Sequence, residues 1–256
     1  MPSRDAAAEP SPVVWARLDR PGRRPRPSLT HDQIVRAAIE IADAEGVQAL
    51  SMRKVAARLG AGTMSLYRYV ANKDDLLDLM VDAVIGEEPP PEQPSGDWRA
   101  ELAEQARGAR RVAQRHPWAI GFILARPRLG PNALRAIEYS MAALDGLGLD
   151  IDGMLDLVAT VDAFVVGFVQ AELAEEEARR RTGLTEEQWR ARMAPYIRQL
   201  IDTGRYPFLE RIVREAEDFP DVDATFERRL ALVLDGLAAS VERRRPPARS
   251  PREVRA

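Results

Sequence analysis

The chain has no cysteine, which removes a disulfide framework, thiolate metal ligation and a cysteine nucleophile together. Histidine is nearly absent too: His31 falls in the first turn of an expected helix and reads as solvent-facing, and His116 precedes Pro117 at a helix boundary. Long apolar runs are missing; the longest, at 164–169, is far short of the roughly 20 residues that span a bilayer. The N-terminus has no apolar signal core and is rich in Pro, Arg and Ala instead. No Walker sequence, nucleotide fingerprint or Ser-His-Asp order occurs, so no enzyme, no cofactor and no metal site are expected. The 150–153 stretch superficially matches a calcium loop, but the later ligands are absent and helix N-capping explains it. What is present is 45% hydrophobic and 30% charged residues, enough for a real core in a soluble, cytoplasmic protein.

The net charge of −3 hides an asymmetry. Residues 17–73 hold eleven Arg or Lys against five Asp or Glu, a balance of +6, while the other 199 residues sum to −9. A basic block on an acidic body is the footprint of a DNA-reading head carried by a body that does not bind DNA.

No alternating strand pattern appears, and the fold class is all-α. Residues 1–28 contain six prolines and no periodicity, and read as a disordered arm. Its Arg-Pro-Gly-Arg-Arg-Pro-Arg stretch at 20–26 is either a groove-following basic arm or a solvated tail. Thr30 and Gln33 form a capping box opening a first helix that ends at Gly46. Ser51 caps a second helix over 52–59, a third covers 63–70, and Asn72 caps a fourth with Asp74 and Asp75 in its first turn. The polar, proline-rich loop 87–97 marks the boundary between a head at 29–86 and a body at 97–244. Body helices are expected over 98–115, 117–124, 131–147, 152–181, 186–203 and 224–244, followed by a disordered tail at 245–256.

Two short helices joined by the Gly60-Ala61-Gly62 turn form a helix-turn-helix at 51–70, held by Val55, Ala56, Leu59, Leu66 and Val70. The second helix projects hydroxyls, aromatics and an Arg, the mixture that meets phosphates, guanine edges and thymine methyls. Leu66 is core, and the Tyr67 ring is expected to pack inside with only its hydroxyl outward. The run 50–80, with Arg-Lys-Val-Ala-Ala-Arg-Leu-Gly at 53–60, Leu-Tyr-Arg-Tyr-Val at 66–70 and Asn-Lys-Asp-Asp-Leu-Leu-Asp at 72–78, resembles the tetracycline-repressor family of bacterial one-component regulators. The helical body at 98–242 is similar to that family's C-terminal regulatory domain.

The resemblance implies a homodimeric, ligand-responsive repressor binding double-stranded operator DNA. It places Arg53, Thr63, Met64, Arg68 and Tyr69 at base-proximal positions and Ser65, Tyr67 and Lys73 at phosphate-anchoring ones. Met52 stands where a hydroxyl residue is common, which removes that phosphate contact. It also implies a dimer interface from the helices at 152–181 and 224–244. Their stripes (Leu155, Val158, Val161, Phe164, Val165, Phe168, Val169; Phe226, Leu230, Val233, Leu234, Leu237, Val241) fit an intramolecular core equally well. Candidate effector-lining residues are Trp118, Phe122, Tyr139, Phe164 and Phe168. Phe122, ahead of Arg126-Pro127, stands where tetracycline-responsive members carry a metal-binding His, so the expected effector is a small hydrophobic molecule rather than magnesium-tetracycline.

Overall fold

In the computed structural model, the described residues are 15, 29–123, 129–217 and 221–244. The arm other than Trp15, the tail at 245–256 and the Arg126-Pro127 element lie outside them. Helix is the regular structure throughout the described residues: α1 His31–Glu45, α2 Met52–Arg58, α3 Thr63–Leu66, α4 Lys73–Ile85, α5 Trp98–Arg115, α6 Ile120–Ile123, α7 Pro131–Leu144, α8 Ile151–Thr182, α9 Glu186–Asp202, α10 Pro207–Glu215 and α11 Val222–Arg244. They pack as two compact units: residues up to 93 with 111–139, and 94–110 with those from 140 onward. A linear reading of the 87–97 loop does not anticipate that 111–139 join the N-terminal helices.

The first unit begins with the capping box. Thr30 Oγ1 accepts the Gln33 amide at 3.2 Å, and Gln33 Oε1 accepts the Thr30 amide at 2.9 Å. Its core gathers Ile34, Ala38, Val55, Leu66, Val70, Leu76 and Met80 at essentially zero exposure, with Trp15 half-buried against it. Met52 is buried in the same core, so its side chain is committed to packing. Around the end of α4, His116 bridges two carboxylates, Nδ1 lying 2.8 Å from Asp43 Oδ1 and Nε2 3.1 Å from Glu87 Oε1. The Trp118 indole donates to the same Asp43 oxygen at 2.7 Å. Arg111 and Arg115 close the arrangement on Glu88 at 2.9 and 3.0 Å, and the Arg111 hydrogen bond is the main reason the Glu88 carboxyl is held below its ordinary range. His116 is thus the helix-boundary residue expected, and also a buried bridge.

The second unit is organised by α8 against α11. Phe164, Phe168 and Phe226 form a ring cluster with centroids 5.1–5.9 Å apart. The Arg110 guanidinium lies 4.6 Å from the Phe226 centroid, pairs with Glu172 and Asp223 at 2.7 Å each, and is held above its ordinary pKa chiefly by the Glu172 hydrogen bond. The apolar stripes of α8 and α11 therefore serve an intramolecular core: Val161, Val165, Phe168, Phe226, Leu230 and Leu234 are all buried. Helix α8 is the one among those described that is long and apolar enough to cross a membrane by length and composition, and 28% of its apolar window is buried in this packing. Its N-terminus is capped by Asp150, whose Oδ1 accepts the Gly153 amide at 2.9 Å, and its end carries Glu176 paired with Arg179 and Arg180. Helix α10 was not expected, although Pro207 at its first position and the 208, 209, 212, 213 apolar spacing announce it.

Candidate nucleic-acid interface

Ser51 and Asn72 fix the two ends of the reading segment. Ser51 Oγ accepts the Lys54 amide at 3.3 Å and starts α2, and Asn72 Oδ1 accepts the Asp75 amide at 2.8 Å and starts α4. Between them the chain turns at Gly60, whose φ of 63° lies in the left-handed region that favours glycine, and enters α3 from Gly62. Helix α3 is four residues long, not the eight expected. The amides of Tyr69 and Val70 both converge on the Leu66 carbonyl, at 2.8 and 2.9 Å. Val70 is then buried, and the extended Asn72 cap begins the next helix, so the ladder has no continuation.

The side chains sort cleanly. Val55, Ala56, Leu66 and Val70 are buried and Leu59 packs at the margin, as the motif requires. Arg53 and Arg68 are exposed, Met64 is 78% exposed, and Thr63, Ser65 and Lys73 are half-buried. Tyr67 is 43% exposed, so its ring lies outside rather than inside: the buried Leu66 next to it turns the following side chain away from the core. Tyr69 is half-buried beside His31, whose Nε2 donates to the Tyr69 carbonyl oxygen at 3.0 Å and whose ring meets the tyrosine edge-on at 5.5 Å. His31 is therefore not a free surface residue. It ties α1 to the end of the recognition segment, and a partner 38 residues away gave the sequence reading no local signal.

Charge is distributed unevenly over this surface. Lys54 pairs with Glu45, and Arg58 with Glu40 at 2.7 Å, both across to α1. Arg53, Arg68 and Lys73 form no ion pair among the described residues. Three of the cations available to an external anion thus flank α3, and Arg36 on α1 is exposed as well.

The five aromatic effector candidates separate. In the first unit, Trp118 and Phe122 meet edge-on with centroids 6.4 Å apart at the edge of the head's core, and the Trp118 N–H is used by Asp43. In the second unit, Phe164 and Phe168 belong to the ring cluster with Phe226. Tyr139 is buried in α7. A group absent from those candidates is Gln105 on α5. Its Oε1 accepts the Ser140 hydroxyl at 2.7 Å, while its Nε2 is buried and unpartnered. A buried amide left unpaired costs about 1–3 kcal/mol.

Comparison with known proteins bears on both units. The family described as bacterial regulatory proteins, tetR family, matches residues 34–80, and the tetracyclin repressor-like C-terminal domain matches residues 90–241. The HTH-type transcriptional repressor DrrR1 of Streptomyces coeruleorubidus is 42% identical over 238 residues, covering 91% of this chain and 86% of that protein. The class A tetracycline repressor from transposon 1721 of Escherichia coli is 30% identical over 212 residues, 82% of this chain and 91% of its own. Apo ActR from Streptomyces coelicolor superposes with a TM-score of 0.71 at 30% identity, over 86% of this chain and 99% of that one. ActR in complex with actinorhodin gives 0.70 at 32%, over 83% and 97%.

Proposed function

This chain belongs to the tetracycline-repressor family of bacterial regulatory proteins, and from that premise we propose that it is a homodimeric, ligand-responsive repressor that binds a palindromic operator and leaves it when a small hydrophobic effector binds. It is a regulator, not an enzyme. The observation that carries the DNA reading is the division of charge on the head: α2 neutralises Lys54 and Arg58 against α1, leaving Arg53, Arg68 and Lys73 around an exposed α3. In this reading residues 29–86 are the DNA-binding domain and 97–244 the regulatory and dimerisation domain. Arg53, Thr63, Met64, Arg68 and Tyr69 approach bases; Ser65, Tyr67 and Lys73 hold phosphates. The protein acts in the cytoplasm, where its operator lies.

Two subunits are needed because one short helix-turn-helix reads only a half-site. The exposed face of α8, with Leu155, Ala159, Ala163 and Gly167 at four-residue spacing, supports a close helix-to-helix dimer contact. The effector reading is supported by ActR, solved with actinorhodin and with (S)-DNPA. Here Phe164 and the buried Gln105 amide are the groups we assign to effector contact, apolar surface from the first and a hydrogen bond to an effector oxygen from the second. Phe168 would then shape the core beside them, and Trp118, Phe122 and Tyr139, which belong to the first unit, are not assigned to effector contact.

The test of the DNA reading is Arg53→Ala measured on two duplexes, one selected by this protein from random DNA and one unrelated. Specific binding should weaken by about 1–3 kcal/mol more than non-specific binding. Equal losses on both duplexes would contradict base reading by Arg53.

A further inference from the structure

Residues 1–28 contain one aromatic side chain, Trp15. It is half-buried and packs against the core of the first unit. Its seat is the turn just ahead of α7. A methyl group at Gly130 would lie 2.7 Å from Cζ2 of the Trp15 ring and would collide with the Asp82 carboxylate as well. The Gly130 backbone is outside the left-handed region, so this residue is glycine for space rather than for conformation. Asp82 is 3% exposed, and its Oδ1 accepts the Asn132 and Ala133 amides at 3.1 and 2.9 Å. Those bonds hold the carboxylate in place, so the space that Gly130 leaves has a fixed wall. Trp15, Asp82 and Gly130 all belong to the first unit.

The chain is fixed again at Leu29, which is 8% exposed in the same core. Two residues further on, His31 donates to the Tyr69 carbonyl oxygen at the end of the recognition segment. Residues 16–28, between the two fixed points, hold five Arg against one Asp. A segment tied at one end spreads its charge over a wide volume. Tied at both ends, it keeps that charge at a higher effective concentration beside its tie points. The entropy cost of closing such a loop grows only slowly with its length. An aromatic ring suits the closing contact, since it buries more apolar area than most side chains can.

We propose that Trp15 is a positioning residue for DNA binding: seated at Gly130, it ties the N-terminal arm to the head at a second point and so keeps the arm's positive charge at hand for phosphate. The role rests on the DNA reading above; the seat does not.

The seat is tested without DNA. The chain has no cysteine, so Leu129→Cys, at an exposed position next to Gly130, gives the full chain a single thiol for a nitroxide label. Trp15 supplies one of four indole N–H signals, identified by its loss in Trp15→Phe. The label should weaken that signal at least threefold, and reducing the nitroxide should restore it. An undiminished Trp15 signal would overturn the seat and the proposal together. The role is tested by fluorescence anisotropy across a range of salt, on the selected duplex and the unrelated one. Trp15→Ala changes no charge, yet it should weaken binding to both by a similar factor, at least threefold at low salt, and flatten the salt dependence. A merely destabilised head would lose active protein and keep its salt slope. Trp15→Phe, which keeps an aromatic ring for the seat, should restore affinity and slope. Wild-type affinity and slope in Trp15→Ala, with the seat intact, would overturn the positioning role. Selection of no duplex at all would overturn the DNA reading, and that role with it.

Discussion

Lys54 and Arg58 must each give up a carboxylate before they can meet a phosphate, whereas Arg53, Arg68 and Lys73 need not. Exposed pairs of this kind contribute about 0–1 kcal/mol to stability, so their main consequence is that the cations near α3 left without an ion pair are Arg53, Arg68 and Lys73. The opposite situation holds at Asp162 on α8. Part of its surface reaches solvent, yet protein fills most of the volume around it, and burial pushes its carboxyl up to about 6. A carboxyl whose pKa rises on folding stabilises the native state below its unfolded pKa and withdraws that contribution as pH climbs through the folded value. Because water screens part of the effect, its direction is the firm expectation. Chemical denaturation from pH 4 to 7.5 should therefore show Asp162→Asn gaining stability over the wild type as pH rises from about 4 to about 6, with the difference levelling off above that. A difference independent of pH would remove Asp162 as the titrating group.

Among the elements, those announced by local chemistry were legible in the sequence. Thr30 with Gln33, Ser51, Asn72 and Asp150 each cap the helix they were expected to open. Val55, Ala56, Leu66 and Val70 pack as the motif demands. What the sequence did not disclose depends on partners far along the chain. His31 meets Tyr69 38 residues away, and Asp82 meets Asn132 50 residues away, so neither pairing leaves a periodic trace. Helix α3 is shorter than the spacing predicts because the hydrophobic spacing continues through Val70 while the backbone ladder does not. Gln105 went unnoticed as a polar residue on a helix, and only the burial of its Nε2 sets it apart. Asn72 is where element and site meet, since it starts the helix that presents Lys73. Asn72→Ala should lower stability by about 0.5–2 kcal/mol and weaken DNA binding, while Asn72→Asp restores both by keeping the side-chain acceptor. Urea denaturation and fluorescence anisotropy on the selected duplex check this pair. Restoration of stability without binding would mean that α4 is placed by something other than its cap.

At the scale of the whole molecule, the apolar stripes of α8 and α11 are largely used within one subunit, which leaves their outer faces for the dimer contact proposed above. The α11 face carries Leu232, 67% exposed, with Ala239 and Gly236 exposed along the same helix. An exposed leucine alone is ordinary. Because α8 has an exposed small-residue face as well, and because the proposed half-site reading calls for a second copy, we propose Leu232 as the centre of that contact. Placing a charge there adds a desolvation cost in both subunits at once, because a two-fold interface repeats every change. Leu232→Asp should leave the helical circular-dichroism spectrum unchanged, since the side chain is outside the subunit core. Sedimentation equilibrium should shift from dimer to monomer over micromolar concentrations, and affinity for the two-half-site duplex should fall to that for a single half-site. A variant that stays dimeric with full affinity would move the interface away from α11, and a wild type that sediments as a monomer bound to DNA would remove the homodimer altogether.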